Sequence, residues 1–157
     1  MAMSYPEYRK DLQRIHESEV FGCAVFQMAA RVTFNAERKQ KWLVLKALED
    51  HTLARYLSYM EDTDQPVTEP RGWALKGRVE GAALGAMPWR AAMKLLADGT
   101  QPFQERFLRL KQNATEEIDK QFFTYVYAHE KAIESFAQKE MAGEQDSLKA
   151  VESLLGR

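Results

Sequence analysis

Two things this sequence barely has are cysteine and unbalanced charge, and each absence removes a class of protein. The single cysteine, Cys23, cannot close an internal disulfide. It stands between Gly22 and Ala24 in a helical stretch, with no activating base at a recognisable spacing, and reads as a buried, inert thiol. The 22 basic and 23 acidic side chains nearly cancel, which leaves no electrostatic footprint for nucleic acid or an anionic membrane. No apolar run approaches the length that spans a bilayer, and Met1 to Lys10 lacks the basic-then-apolar order of a secretory signal. The expectation is a soluble, cytoplasmic protein with neither nucleic acid nor membrane as partner. Strand-like alternation, internal repeats and low-complexity tracts are also missing.

What is present is helical periodicity. The 157 residues, 45% of them hydrophobic, suffice for one domain over 1–157 with a proper core. Ser4, Pro6 and Glu7 open a first helix as cap, first-turn proline and capping-box acid. Along it Leu12, Ile15, Glu19, Cys23, Phe26, Ala30 and Thr33 form one stripe with steps of three and four. His16 lies one turn before Glu19 on the same face. Asn35 caps a second helix running to about Asp62, and the short join at Phe34 and Asn35 makes it antiparallel to the first. Its stripe is Trp42, Leu45, Glu49, Thr52, Tyr56 and Tyr59; His51 lies about 200° around the helix from Glu49 and shares no face with it.

From Asp62 to Pro70 the composition becomes that of a loop. The next stretch, Arg71 to Met87, spaces Gly72, Gly77, Gly81 and Gly85 so that small residues line one side of a short helix. These glycines are not a phosphate loop, since no Gly-Lys-Ser/Thr ending and no strand accompany them. A long crossover containing some helix is expected here. Pro88 starts a third helical region whose pattern, interrupted at Asp98, Gly99 and Thr100, resumes after Pro102 with Phe103, Phe107 and Leu110; it is one kinked helix or two.

The fourth long helix is expected between an Asn113 cap, with Glu116 three residues on, and a Gly143 stop: about 29 residues, roughly 43 Å. Its stripe is Ile118, Phe122, Val126, Ile133, Phe136 and Ala137, with His129 on the stripe and Glu130 at its border. Ser147 to Leu155 makes a short tail helix. The aromatics Trp42, Tyr56, Tyr59, Tyr125 and Tyr127 read as core and interface material.

Three glutamates on three helices thus occupy core-facing slots, where an ionised carboxylate is costly unless something pairs with it. Without a metal, such acids raise one another's pKa or recruit a base, for which His16, His129, Arg31 and Arg55 are the candidates. The order of helices gives an all-α, four-helix bundle with a long crossover between helices two and three and a short C-terminal helix. With Glu19, the Leu48-Glu49-Asp50-His51-Thr52 segment and the His129-Glu130-Lys131-Ala132 segment, the chain resembles the ferritin-like superfamily, specifically an uncharacterised bacterial branch. The resemblance covers roughly Tyr8 to Leu155. It implies a ferritin-like bundle binding iron or another divalent metal through Glu19, Glu49, Glu130 and His129, with oxygen-dependent redox chemistry as the expected activity. Where the di-iron pattern has Glu-x-x-His, this chain has Glu49-x-x-Thr52 and Glu130-x-x-Ile133, and Glu105 is the only candidate for the third helix's acid. A reduced or single-metal site, with His16 or His129, is left open. The rival expectation is a metal-free helical scaffold or interaction protein that forms a homodimer through an apolar helix face. A small-molecule pocket between the helices is permitted by such a scaffold, with no residue pattern that points to one.

Overall fold

The computed structural model describes residues 2–157; Met1, and with it the first residue of the expected domain and signal readings, lies outside the described residues. The described residues form six α-helices and no strand: α1 (Tyr5–Val32), α2 (Ala36–Asp62), α3 (Trp73–Ala86), α4 (Trp89–Asn113), α5 (Glu117–Ala142) and α6 (Lys149–Leu154).

Local chemistry sets the ends. Ser4 and Glu7 form the reciprocal capping box of α1, with Pro6 in its first turn, and the Asn35 side chain accepts from Arg38 N at the start of α2. Gly143 ends α5 in the left-handed region at φ 74°. The start of α5 departs from expectation. Asn113 is the last residue of α4, where its Nδ2 donates to Arg109 O while its Oδ1 accepts from Met3 N. It is engaged at a helix C-terminus and does not cap the next helix, which begins at Glu117 without a side-chain cap. Ile118, expected on the buried stripe, is 42% exposed: it lies one turn before Phe122, where the buried face of α5 begins. The region after Pro88 is one continuous helix through Pro102. Proline removes one backbone donor, which orphans the carbonyl of Asp98; both residues are exposed, so water can serve that carbonyl.

Helix α1 packs on α2, α3 and α4, and α5 packs on α4, α2 and α6. The α1–α3 contact is the closest. A Cβ at Gly77 would stand 2.5 Å from Phe21 O, and one at Gly81 would stand 2.3 Å from Val25 O. Both are impossible distances, so the two backbones meet only because these positions lack a side chain. Val151 of α6 is fully buried, with Leu148 and Leu155 packed beside it.

The core falls into two apolar halves. One contains Val25, Phe26, Trp42, Leu45, Met93, Ile133 and Phe136; the other contains Leu12, Ile15, Tyr56, Phe107, Phe123 and Val126. On α1, α2 and α5 the residues between the halves include Glu19, Glu49, and His129 with Glu130. On α4 the corresponding buried residues are Thr100 and Gln104.

Candidate metal centre

At mid-length of three helices the apolar stripe is interrupted by a polar layer. Glu19, Glu49, His129 and Glu130 are all buried, none more than 5% exposed. Periodicity explains each: Glu19 continues the line of Leu12 and Ile15, Glu49 that of Trp42 and Leu45, and His129 that of Phe122 and Val126.

His129 is the hub. Its Nε2 lies 3.3 Å from Glu49 Oε1 and its Nδ1 lies 3.6 Å from Glu19 Oε2. The second separation is too long for a hydrogen bond, and both Nδ1 and Glu19 Oε2 are buried without any hydrogen-bond partner. One ligand atom from each of Glu19, Glu49 and His129 fits within a 4.8 Å envelope. Two ligands on opposite sides of an ion, each at about 2.1 Å, stand about 4.2 Å apart, so a small contraction would close such a shell. Ser18 Oγ lies 3.2 Å from Glu19 Oε1 and 2.9 Å from Ile15 O, and with one hydroxyl hydrogen it donates to only one of them.

The electrostatics are those of carboxylates short of cations. Burial pushes Glu19 well above the usual range; His129 opposes the shift and Glu49 adds to it. Burial raises Glu49 to about 8, with Glu130 reinforcing the shift and a hydrogen bond with Glu19 opposing it. Glu130 is likewise raised to about 8 by burial, with His129 opposing and Glu19 reinforcing. Among the described residues no lysine or arginine forms an ion pair with any of the three.

A glycine makes the arrangement possible. A Cβ on Gly22 would stand 2.5 Å from Glu49 Cδ and 2.7 Å from each of its carboxylate oxygens. The Glu49 carboxylate therefore lies flat against the α1 backbone, in the space that any other side chain would take.

The other candidate residues fall elsewhere. Glu105 is exposed, so α4 brings no carboxylate to the layer; its face there is Thr100 and Gln104. His16 is buried but stacks against Tyr56, ring centroids 4.9 Å apart, outside the cluster. Arg31 is exposed, and Arg55 lies 3.8 Å above the Tyr125 ring. Thr52, one turn after Glu49, is hydrogen-bonded to Tyr125 at 2.7 Å. Half-buried His51 faces the edge of the same Tyr125 ring. Cys23 donates to Asp50 Oδ1, and burial pushes its thiol upward, away from reactivity.

Two features were not assigned to residues in the sequence reading. Gly22 carries no chemical signal of its own; only its place one turn after Glu19 on the Glu19 face could have suggested it. The second is a cavity of about 110 Å³ between α1, α3 and α4. Its buried end holds Glu49 and Glu130, and its exposed end lies near Glu80, Leu95 and Gly99.

Comparison with protein-family models, with curated proteins and with solved structures finds no match. No helix among the described residues is long and apolar enough to cross a membrane.

Proposed function

We propose that this chain is a ferritin-like bundle, with α1, α2, α4 and α5 as its long helices and the α3 segment as the crossover, that binds iron or another divalent metal through Glu19, Glu49, Glu130 and His129. One observation carries the reading: Glu19 and Glu49 converge on a single imidazole, Glu130 is buried next to it with no side-chain hydrogen bond or ion pair among the described residues, and no lysine or arginine there pairs with any of the three. Keeping all three ionised away from water would cost far more than one imidazole can return. A divalent cation would offset the deficit and would give Glu19 Oε2 and His129 Nδ1 the partner they lack. Carboxylate oxygens with one imidazole nitrogen suit iron, manganese or zinc. Bound iron would supply oxygen-dependent redox chemistry. The chain's own contribution is to hold the oxygens of Glu19 and Glu49 and a nitrogen of His129 at fixed separation. Gly22 keeps room for Glu49, and the two apolar halves of the core flank the layer along the helices.

The test is metal analysis of protein purified without chelator, repeated on Glu49→Ala and Glu130→Ala. Divalent metal in the parent protein, with at least a tenfold loss of affinity in both variants, supports the assignment. Equal metal in all three samples, or none in any, removes it.

The rival, a metal-free scaffold that dimerises, draws support from Leu75 and Val79, each 65% exposed one turn apart on the outer face of α3. Sedimentation equilibrium of metal-free protein separates it: a monomer at every concentration eliminates the dimer.

A further inference from the structure

We propose that the cavity between α1, α3 and α4 is a binding pocket for a small, uncharged, apolar molecule about the size of benzene, delivered against Glu49 and Glu130. The proposal rests on the metal reading for one point, that a bound cation engages both carboxylates and leaves no free anion in the pocket.

Size comes first. The cavity measures about 110 Å³. An engineered protein cavity of about 150 Å³ lined by leucine, isoleucine and phenylalanine stays dry and takes benzene or xenon, so a ligand of about six heavy atoms is the right scale. The walls are of that same kind: Phe21, Val25, Phe26, Leu84, Phe103 and Ile133.

The polar groups in the wall are already spent. Thr100 Oγ donates to Ala97 O at 2.8 Å and accepts from Gln104 Nε2 at 2.9 Å. The Ser18 hydroxyl is directed to Ile15 O or to Glu19. A ligand would therefore meet no free hydrogen-bond donor from these side chains, and a polar ligand would leave water without compensation. At the inner end the situation is different. Glu49 and Glu130 are each at least nine-tenths buried and line the cavity, and Glu130 forms no side-chain hydrogen bond or ion pair among the described residues. Such carboxylates mark this end as the place where a ligand meets the site. Were they both free of metal and ionised, the same cavity would favour a small organic cation, and the two cases can be told apart.

Gly99 sets the entrance. It is exposed on α4, lines the cavity, and a Cβ there meets nothing within 4 Å. A large side chain at this position can fill the opening without disturbing the helix, since glycine is the poorer helix former.

The experiment titrates the as-purified protein with fluorobenzene, followed by fluorine NMR line broadening, with metal content measured on the same sample. The expected result is saturable binding that weakens at least about tenfold in Gly99→Phe while metal content stays unchanged. Leu84→Trp, which narrows the opposite wall, should weaken it as well and guards against misfolding of the first variant; circular dichroism confirms that each folds. Absence of saturable binding, equal binding to both folded variants, or displacement of fluorobenzene by n-hexylammonium overturns the pocket. A sample without metal that still binds fluorobenzene in a Gly99-sensitive way sinks the metal reading and leaves the pocket standing.

Discussion

Helix α1 buries two carboxylates eight residues apart, and they are treated in opposite ways. Asp11 is held by two guanidinium groups from α4: Arg109 reaches it through Nε and Nη2, both at 2.7 Å, and Arg106 through Nη1 at 3.0 Å. Glu19, two turns on and equally buried, has no arginine or lysine partner among the described residues; the Ser18 hydroxyl lies 3.2 Å from one of its oxygens and an imidazole nitrogen 3.6 Å from the other. Helix α5 repeats the contrast. Glu134 accepts from Lys131 and from the Gln101 and Gln104 amides, and these bonds hold it below its ordinary value against the effect of burial. Glu140 accepts from Lys41, Ser147 and Trp89 and is depressed in the same way. Glu130, one turn before Glu134, has none of this. Among the described residues the fold brings arginine, lysine or glutamine amides to Asp11, Glu134 and Glu140, and none of these to the acids of the central layer. That difference argues for an external cation there more directly than any count of acids.

The largest effect that would break the comparison is a pH dependence. Glu49 and Glu130 have a usual value of 4.5 and are raised to about 8 in the fold. The unfolded chain therefore sheds these protons first, and the fold retains them at a growing cost. In chelator-treated protein, the contribution of these two groups to stability should be full below about pH 4.5, fall as pH rises, and reach its low plateau above about pH 8; the loss between about pH 5 and 8 is the part to read, because Glu134 and Glu140, held below their ordinary values, lose their own contribution in acid. The expected loss is on the order of several kcal/mol, read from urea denaturation at a series of pH values. Metal-loaded protein should behave in the opposite sense, because binding requires deprotonated ligands. A flat profile for chelated protein would mean that the carboxylates are compensated after all. Next in size, replacing both Arg106 and Arg109 by alanine leaves Asp11 buried and unpaired, and should cost on the order of 3 kcal/mol with metal affinity unchanged. Gly22→Ala should do the reverse. Its methyl displaces the Glu49 carboxylate, so metal affinity should fall by about 10–100-fold in an equilibrium competition assay. The smallest effect is Cys23→Ser, which should shift stability by less than about 0.5 kcal/mol and leave metal binding intact, as a half-buried inert thiol allows.

The parts of this arrangement that were legible in sequence are those governed by one helix at a time. The Trp42 to Tyr59 stripe is buried at every expected position, and Glu19, Glu49, Glu130 and His129 all face inward. Each prediction needed only the helical repeat and a clear apolar line. What could not be read depends on pairs distant in sequence or on residues with two credible uses. Asp11 meets Arg106 and Arg109 across more than ninety positions, and no local pattern announces that meeting. Asn113 carries a side chain suited to either end of a helix, and its neighbours in space decide which. Glu105 was one position from the inward face of α4, and a step of one residue turns a side chain by about 100°. The cavity was illegible for a further reason: it is built from space between helices, and empty space leaves no mark on a sequence.

Gly22 bears on how this protein's relatives can be sorted. Every amino acid but glycine brings a carbon to the spot where the Glu49 carboxylate rests. A descendant that acquires alanine there can keep its fold and Glu19, Glu49 and His129 while losing the close approach of the three. Among chains of this type, the hydrogen at that single position is therefore a better marker of the converged Glu19, Glu49 and His129 arrangement than any of the acids themselves.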